Sequence, residues 1–149
     1  MSGTNYIASN WRIPENSNSS KNDNYSLSFN PADTEYISVG TITKLNGGIN
    51  AFSTSCWFKY DGTLGTGSHM ILSGGTGVTD RFYIQLIANN TLRYAMGGGF
   101  DDVTITTLSA GTWYNLITVQ NGADVDIYLN GSLEGSFTDQ IPTNILVQV

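Results

Sequence analysis

Charge is scarce in this chain of 149 residues: only 12% of them are Asp, Glu, Lys or Arg. Twelve acidic side chains outnumber six basic ones, leaving a formal charge of −6 at neutral pH. No basic stripe is present, which removes the electrostatic footprint of a nucleic-acid binder. Cysteine is nearly missing. Cys56 stands alone, so no internal disulfide can form, and with His69 as the single histidine no Cys/His cluster offers a zinc site. No apolar run approaches the roughly 20 residues that a membrane helix needs. The opening residues Met1 to Ile7 lack the basic start and apolar middle of a signal peptide. Helical periodicity is also lacking, apart from a single turn expected near Ile42 to Leu45.

What the chain does have is alternation. Between Asn121-Gly122 and Asn130-Gly131, Val125, Ile127 and Leu129 alternate with Asp124, Asp126 and Tyr128. A period of two gives a strand one apolar face and one polar face. The two Asn-Gly pairs supply the positive φ angles that tight hairpins need. Further strands are expected at Tyr25 to Phe29, Ile37 to Val39, Phe52 to Tyr60, His69 to Ser73, Arg81 to Ala88, Leu92 to Met96, Asp102 to Thr106 and Ile145 to Val149. Pro31 closes the first of these, because proline cannot donate to a ladder. Cys56 is in phase with Phe52, Thr54 and Phe58 and reads as a buried structural thiol. Many short strands at regular spacing predict an all-β chain: a two-sheet antiparallel β-sandwich of jelly-roll type. Residues 24–149 form that sandwich, and a chain of this length can bury about 70% of its unfolded surface without staples. Residues 1–23, rich in Asn and Ser, read as an extended, flexible N-terminal arm in which Tyr6, Ile7, Trp11 and Ile13 are apolar enough to dock.

The run AGTWYNLITVQNGADVDIYLNGSLEGS at 110–136 resembles the closing hairpins of laminin-G-like modules in the concanavalin A-like lectin/glucanase superfamily. Tyr25 to Phe29, Glu35 to Val39 and Phe52 to Phe58 match that family's opening strands in order. The resemblance covers roughly Asn24 to Val149. It implies the sandwich fold, and it implies no single function, since the superfamily holds lectins, adhesion modules, enzymes and structural domains. Such modules mostly act outside cells. Set beside the missing export signal, the resemblance implies a virion surface component of the kind found in tailed phages, a capsid decoration or tail-fibre protein made in the host cytoplasm. The alternative is a carbohydrate-binding domain cut from a secreted protein. Family members also continue beyond Val149 with a last strand. Either the chain is truncated there or a neighbouring subunit completes the sheet, and on the second reading assembly with other chains through the arm and the C-terminal strand is expected.

Three sets of residues are candidates for chemistry. Asp124 and Asp126, two apart on one strand face, have the order of spacing that retaining glycosidases use. The glucanase motif carries a third acidic residue where this chain has Tyr128, and the expectation is therefore no catalysis. Calcium is a candidate ligand. If β-connections alternate between the ends of the sandwich, the loops at 74–80, 97–101 and 121–123 share one rim, and Asp80, Asp101 and Asp124, with Asp102 nearby, supply oxygen ligands there. The opposing reading is that Asp is common in turns. Glycan contact is expected at Trp11 and Phe100, beside Asp80, Asp101 and Asp102, while Trp57 and Trp113 are expected to be partly core or at a sheet edge.

Overall fold

In a computed structural model of the chain, the residues described are 27–29, 35–38, 51–64, 69–75 and 81–138. The chain divides into Met1–Tyr36 and Ile37–Val149, and all the strands below lie in the second unit. In chain order they are β1 (Ala51–Tyr60), β2 (His69–Gly74), β3 (Phe82–Ala88), β4 (Thr91–Met96), β5 (Asp101–Thr104), β6 (Thr112–Asn121), β7 (Asp124–Leu129) and β8 (Ser132–Thr138). No helix occurs among the described residues. The expected turn near Ile42 and the strand at Ile145 to Val149 lie outside them, as does the N-terminal arm.

Two antiparallel sheets result, ordered β1-β6-β7-β8 and β2-β3-β4-β5. The all-β sandwich is as expected. The periodicity of each strand explains why the sheets pack face to face. In β1 the residues Phe52, Thr54, Cys56, Phe58 and Tyr60 turn inward, while Ala51, Ser53, Ser55, Trp57 and Lys59 are exposed. In β6 the inward set is Tyr114, Leu116, Thr118 and Gln120. In β7 it is Val125, Ile127 and Leu129, all fully or almost fully buried. They meet Phe82, Ile84, Leu86, Leu92, Tyr94 and Met96 from the other sheet in one core. At about 25 cal/mol per Å² of apolar surface removed from water, this shared layer dominates the stability of the fold.

Three local expectations are corrected. Residues 27–29 and 35–38 lie outside any strand. Alternation in so short a run is a weak signal, and strand formation needs a ladder partner that the run itself does not specify. Second, the two Asn-Gly turns differ. Asn130 and Gly131 both have positive φ, 51° and 83°, as a two-residue hairpin of mirror-image type requires. Asn121 instead belongs to β6 and pairs with Asp124, so the loop there is Gly122-Ala123, with the positive φ at Gly122 alone. Third, Ile105 is buried but follows the end of β5 rather than extending it.

One end of the sandwich is closed by aromatic rings. Phe52, Phe82, Tyr94 and Phe137 form an edge-to-face chain with centroids 5.6–5.7 Å apart, the geometry aromatic quadrupoles prefer. Because Phe52 is near the start of β1, Phe82 starts β3, Tyr94 is near the end of β4 and Phe137 is near the end of β8, this cluster marks the end where the 97–100 and 122–123 loops emerge.

Candidate functional site

Asp80 and Trp11 lie outside the described residues. Asp101 opens β5 opposite Tyr94. Asp124 opens β7 on the other sheet, opposite Thr138. Asp102 is committed elsewhere: it receives Arg93 Nε at 2.7 Å and Arg93 Nη2 at 2.9 Å, a two-pronged ion pair across the β4–β5 ladder. The guanidinium hydrogen-bonds the ionised carboxylate, so Asp102 titrates below its ordinary value while Arg93 is raised. Among the described residues no three His, Cys, Asp or Glu side chains group closely enough to hold a metal ion. The described carboxylates therefore do not assemble a calcium cage.

Phe100 is half exposed, but the same Arg93 guanidinium lies over its ring, 3.9 Å from the centroid. On the same sheet Arg81 lies over Tyr83 at 5.4 Å and donates from Nε to the Gly97 carbonyl at 3.1 Å, pinning the glycine-rich loop. On the outer side of this sheet, then, arginines occupy faces of the aromatic rings.

Asp124 and Asp126 do share the outer face of β7, in a shallow depression with Ser136 and Thr138. Asp126 Oδ1 accepts the Ser136 hydroxyl at 2.5 Å, and Oδ2 faces the Tyr128 hydroxyl at 3.5 Å. Cys56 is half-buried against the core, and burial pushes its thiol above the ordinary value.

The outer face of the β1-β6-β7-β8 sheet is built differently. Trp57 is 67% exposed, Trp113 44% and Leu133 56%. Trp57 pairs with Asn115, and Trp113 with Lys59, so the two indoles are diagonal neighbours on adjacent strands. Such neighbours stand about 7–8 Å apart. Next in line are Ser55, Ile117, Tyr128 and Leu133, each opposite the next. Asn115 is held in place: its side-chain nitrogen donates to the Cys56 carbonyl at 3.3 Å and the Ser55 hydroxyl at 3.4 Å. Its backbone N–H donates to Asn130 Oδ1 at 2.9 Å and its carbonyl accepts Asn130 N–H at 2.8 Å. Of the expectation that Trp57 and Trp113 are partly core or at a sheet edge, the edge holds for Trp57, since β1 is an outer strand of its sheet, while the core placement is corrected for both. Parity carried the signal: both have odd numbers, while the inward residues of β1 and β6 are even.

A family model described as the concanavalin A-like lectin/glucanases superfamily, Laminin_G_3, matches residues 31–146. The chain belongs to this family. The laminin-G-like fold is also similar to that of the native heptameric SAP-like pentraxin from Limulus polyphemus, with a TM-score of 0.53 and 16% identity, over 74% of this chain and 52% of that one. The laminin-G-like chain thus spans about half the length of the pentraxin chain, and at that identity the likeness carries the fold alone. No curated protein matches it.

Proposed function

We propose that this laminin-G-like chain is a non-catalytic recognition and assembly module, displayed on the surface of a virion as a decoration or fibre component. The observation that carries the reading is the outer face of the β1-β6-β7-β8 sheet, where Trp57, Trp113 and Leu133 stand open to solvent. Large apolar side chains grouped on one surface mark sites of contact with other molecules. A multi-chain setting would cover part of that face, and the similar pentraxin is itself heptameric. The low charge content suits a surface packed among other chains. Recognition rather than hydrolysis is supported by Asp126, whose carboxylate is engaged by Ser136 and faced by Tyr128. A lectin-like domain of a secreted protein would use the same face in another setting.

The test is a glycan array probed with the purified chain, run beside an assay for released reducing sugar and proteomics of particles purified from the source. Binding without turnover, with the chain present in particles, is the expected result. Sugar release that D126N abolishes would move the chain to the hydrolase branch. Its absence from all particles would move it to the secreted setting.

A further inference from the structure

We propose that Trp57 and Trp113 form a stacking platform for two neighbouring rings of a neutral oligosaccharide, with Asn115, Ser55 and Lys59 as its polar margin. This inference deepens the recognition reading and rests on it. Four observations support it.

First, the indoles are neighbours by register. Trp57 opposite Asn115 and Trp113 opposite Lys59 place them diagonally across the β1–β6 ladder. Diagonal strand positions stand about 7–8 Å apart, which puts both side chains within the reach of one short oligosaccharide. Second, their backbones lie within the longest ladder among the described residues, ten residue pairs from Ala51 and Asn121 to Tyr60 and Thr112. Tryptophan has only two side-chain torsions, so a platform mounted there loses little freedom on binding.

Third, the exposed rings of the two sheets contrast. Arginine side chains lie over Phe100 and Tyr83 on one sheet. No such cation is found over Trp57 or Trp113 among the described residues. The apolar C–H face of a sugar ring is suited to an open indole face, and its hydroxyls to the polar margin. Fourth, the local charge favours a neutral ligand. Lys59 is the charged residue among the outward positions of β1 and β6, while Asp124 and Asp126 lie toward the far end of β7. A protein partner would be drawn instead to the more apolar row of Ile117, Tyr128 and Leu133.

The test is NMR of the full chain, following the three indole N–H resonances of Trp11, Trp57 and Trp113. The probes are cello-, malto-, chito- and galacto-oligosaccharides. With at least one probe, the Trp57 and Trp113 resonances should shift together while core amides such as Thr118 stay put. W57A and W113A should each weaken binding of that probe by about tenfold. W57F should retain part of it, and the alanine variants should stay folded, with core amides such as Thr118 resonating as in the parent. Shifts confined to residues 97–102 would overturn the platform, as would silence with every probe. So would a W57A/W113A double variant that loses self-association in light scattering but binds sugar normally. Glycan-array binding that survives in the double variant defeats the platform and leaves the recognition reading standing. A chain that binds no glycan and no partner defeats both.

Discussion

The phenol of Tyr94 donates to Oε1 of Gln120 at 2.7 Å, joining the two sheets inside the core near the end that the aromatic cluster closes. Both side chains are essentially inaccessible to water. The Gln120 amide nitrogen completes the arrangement by donating to the Gly122 carbonyl at 3.0 Å. The latch therefore also ties the core to the β6–β7 turn. Removing the hydroxyl leaves a buried acceptor with that bond broken, which costs about 1–3 kcal/mol. Tyr94→Phe should lower stability by that amount in chemical denaturation. A double-mutant cycle with Gln120→Leu should return a coupling energy of about 0.5–3 kcal/mol. Strict additivity would show that the bond is energetically silent.

Gly135 is where the margins of the two sheets meet. A Cβ built on it would lie 2.6 Å from Val103 Cγ1 on β5, and Ile127 is its ladder partner on β7. Beside it, Glu134 accepts the Thr106 N–H at 2.6 Å and its hydroxyl at 3.0 Å, tying β8 to the segment that follows β5. Gly135→Ala should destabilise by about 1–3 kcal/mol through overpacking. Adding Val103→Ala should recover part of the loss, because the colliding methyl is gone. Thermal melts of the single and double variants decide it.

The Arg93–Asp102 pair predicts a small pH dependence. The hydrogen bond from Arg93 holds the Asp102 carboxyl below its ordinary value of 3.8, against the opposing effect of burial and with the guanidinium charge adding to it. A pKa depressed in the folded state adds stability above the unfolded value, and that stability is lost as pH falls through the folded one. Asp102→Asn should therefore be slightly less stable than the parent at neutral pH. The gap should close on acidification below 3.8. Both side chains are substantially exposed, so the effect is modest and should shrink further in high salt.

Asn130 has two separable tasks. Its φ of 51° meets the demand of the turn, and its side chain accepts the Asn115 N–H. Asn130→Ala removes both advantages and should cost about 1–2 kcal/mol. Asn130→Gly keeps the backbone conformation and loses the acceptor, so its cost should be smaller. Equal losses for the two variants would mean that the side-chain bond carries the whole effect. Because Asn115 sits between the tryptophans and this turn, Asn130→Ala should also weaken any ligand held at Trp57.

Much of this molecule is legible residue by residue. The alternation of Val125, Ile127 and Leu129 with Asp124, Asp126 and Tyr128 marks which face of β7 is buried, because a strand turns every second side chain to the same side. The same parity in β1 separates Phe52, Cys56 and Phe58 from Trp57 and Lys59. Bulk and aromaticity suggest that a tryptophan is buried, and that preference conflicts with parity at position 57. Parity wins, because the ladder is rigid and the alternative would turn Cys56 and Phe58 out. At 27–29 the same alternation forms no strand, since a strand also needs a ladder partner.

The candidate site was much less legible. Asp102 and Phe100 look like free ligand groups when read along the chain. In space, Arg93 is bonded to the one and lies over the other. Sequence spacing does not reveal that β4 pairs with β5 in the register that sets Arg93 opposite Asp102.

By itself, the sequence determined the class of fold and most of the strand positions between Phe52 and Leu129, since these follow from local periodicity and turn chemistry. Only the tertiary structure decided that β1 lies beside β6, which brings Trp57 and Trp113 together, and that Tyr94 reaches Gln120 through the core. The reason is physical. Periodicity is a property of neighbours in the chain, whereas the pairing of distant strands is chosen by the packing of the whole core, which no single segment encodes.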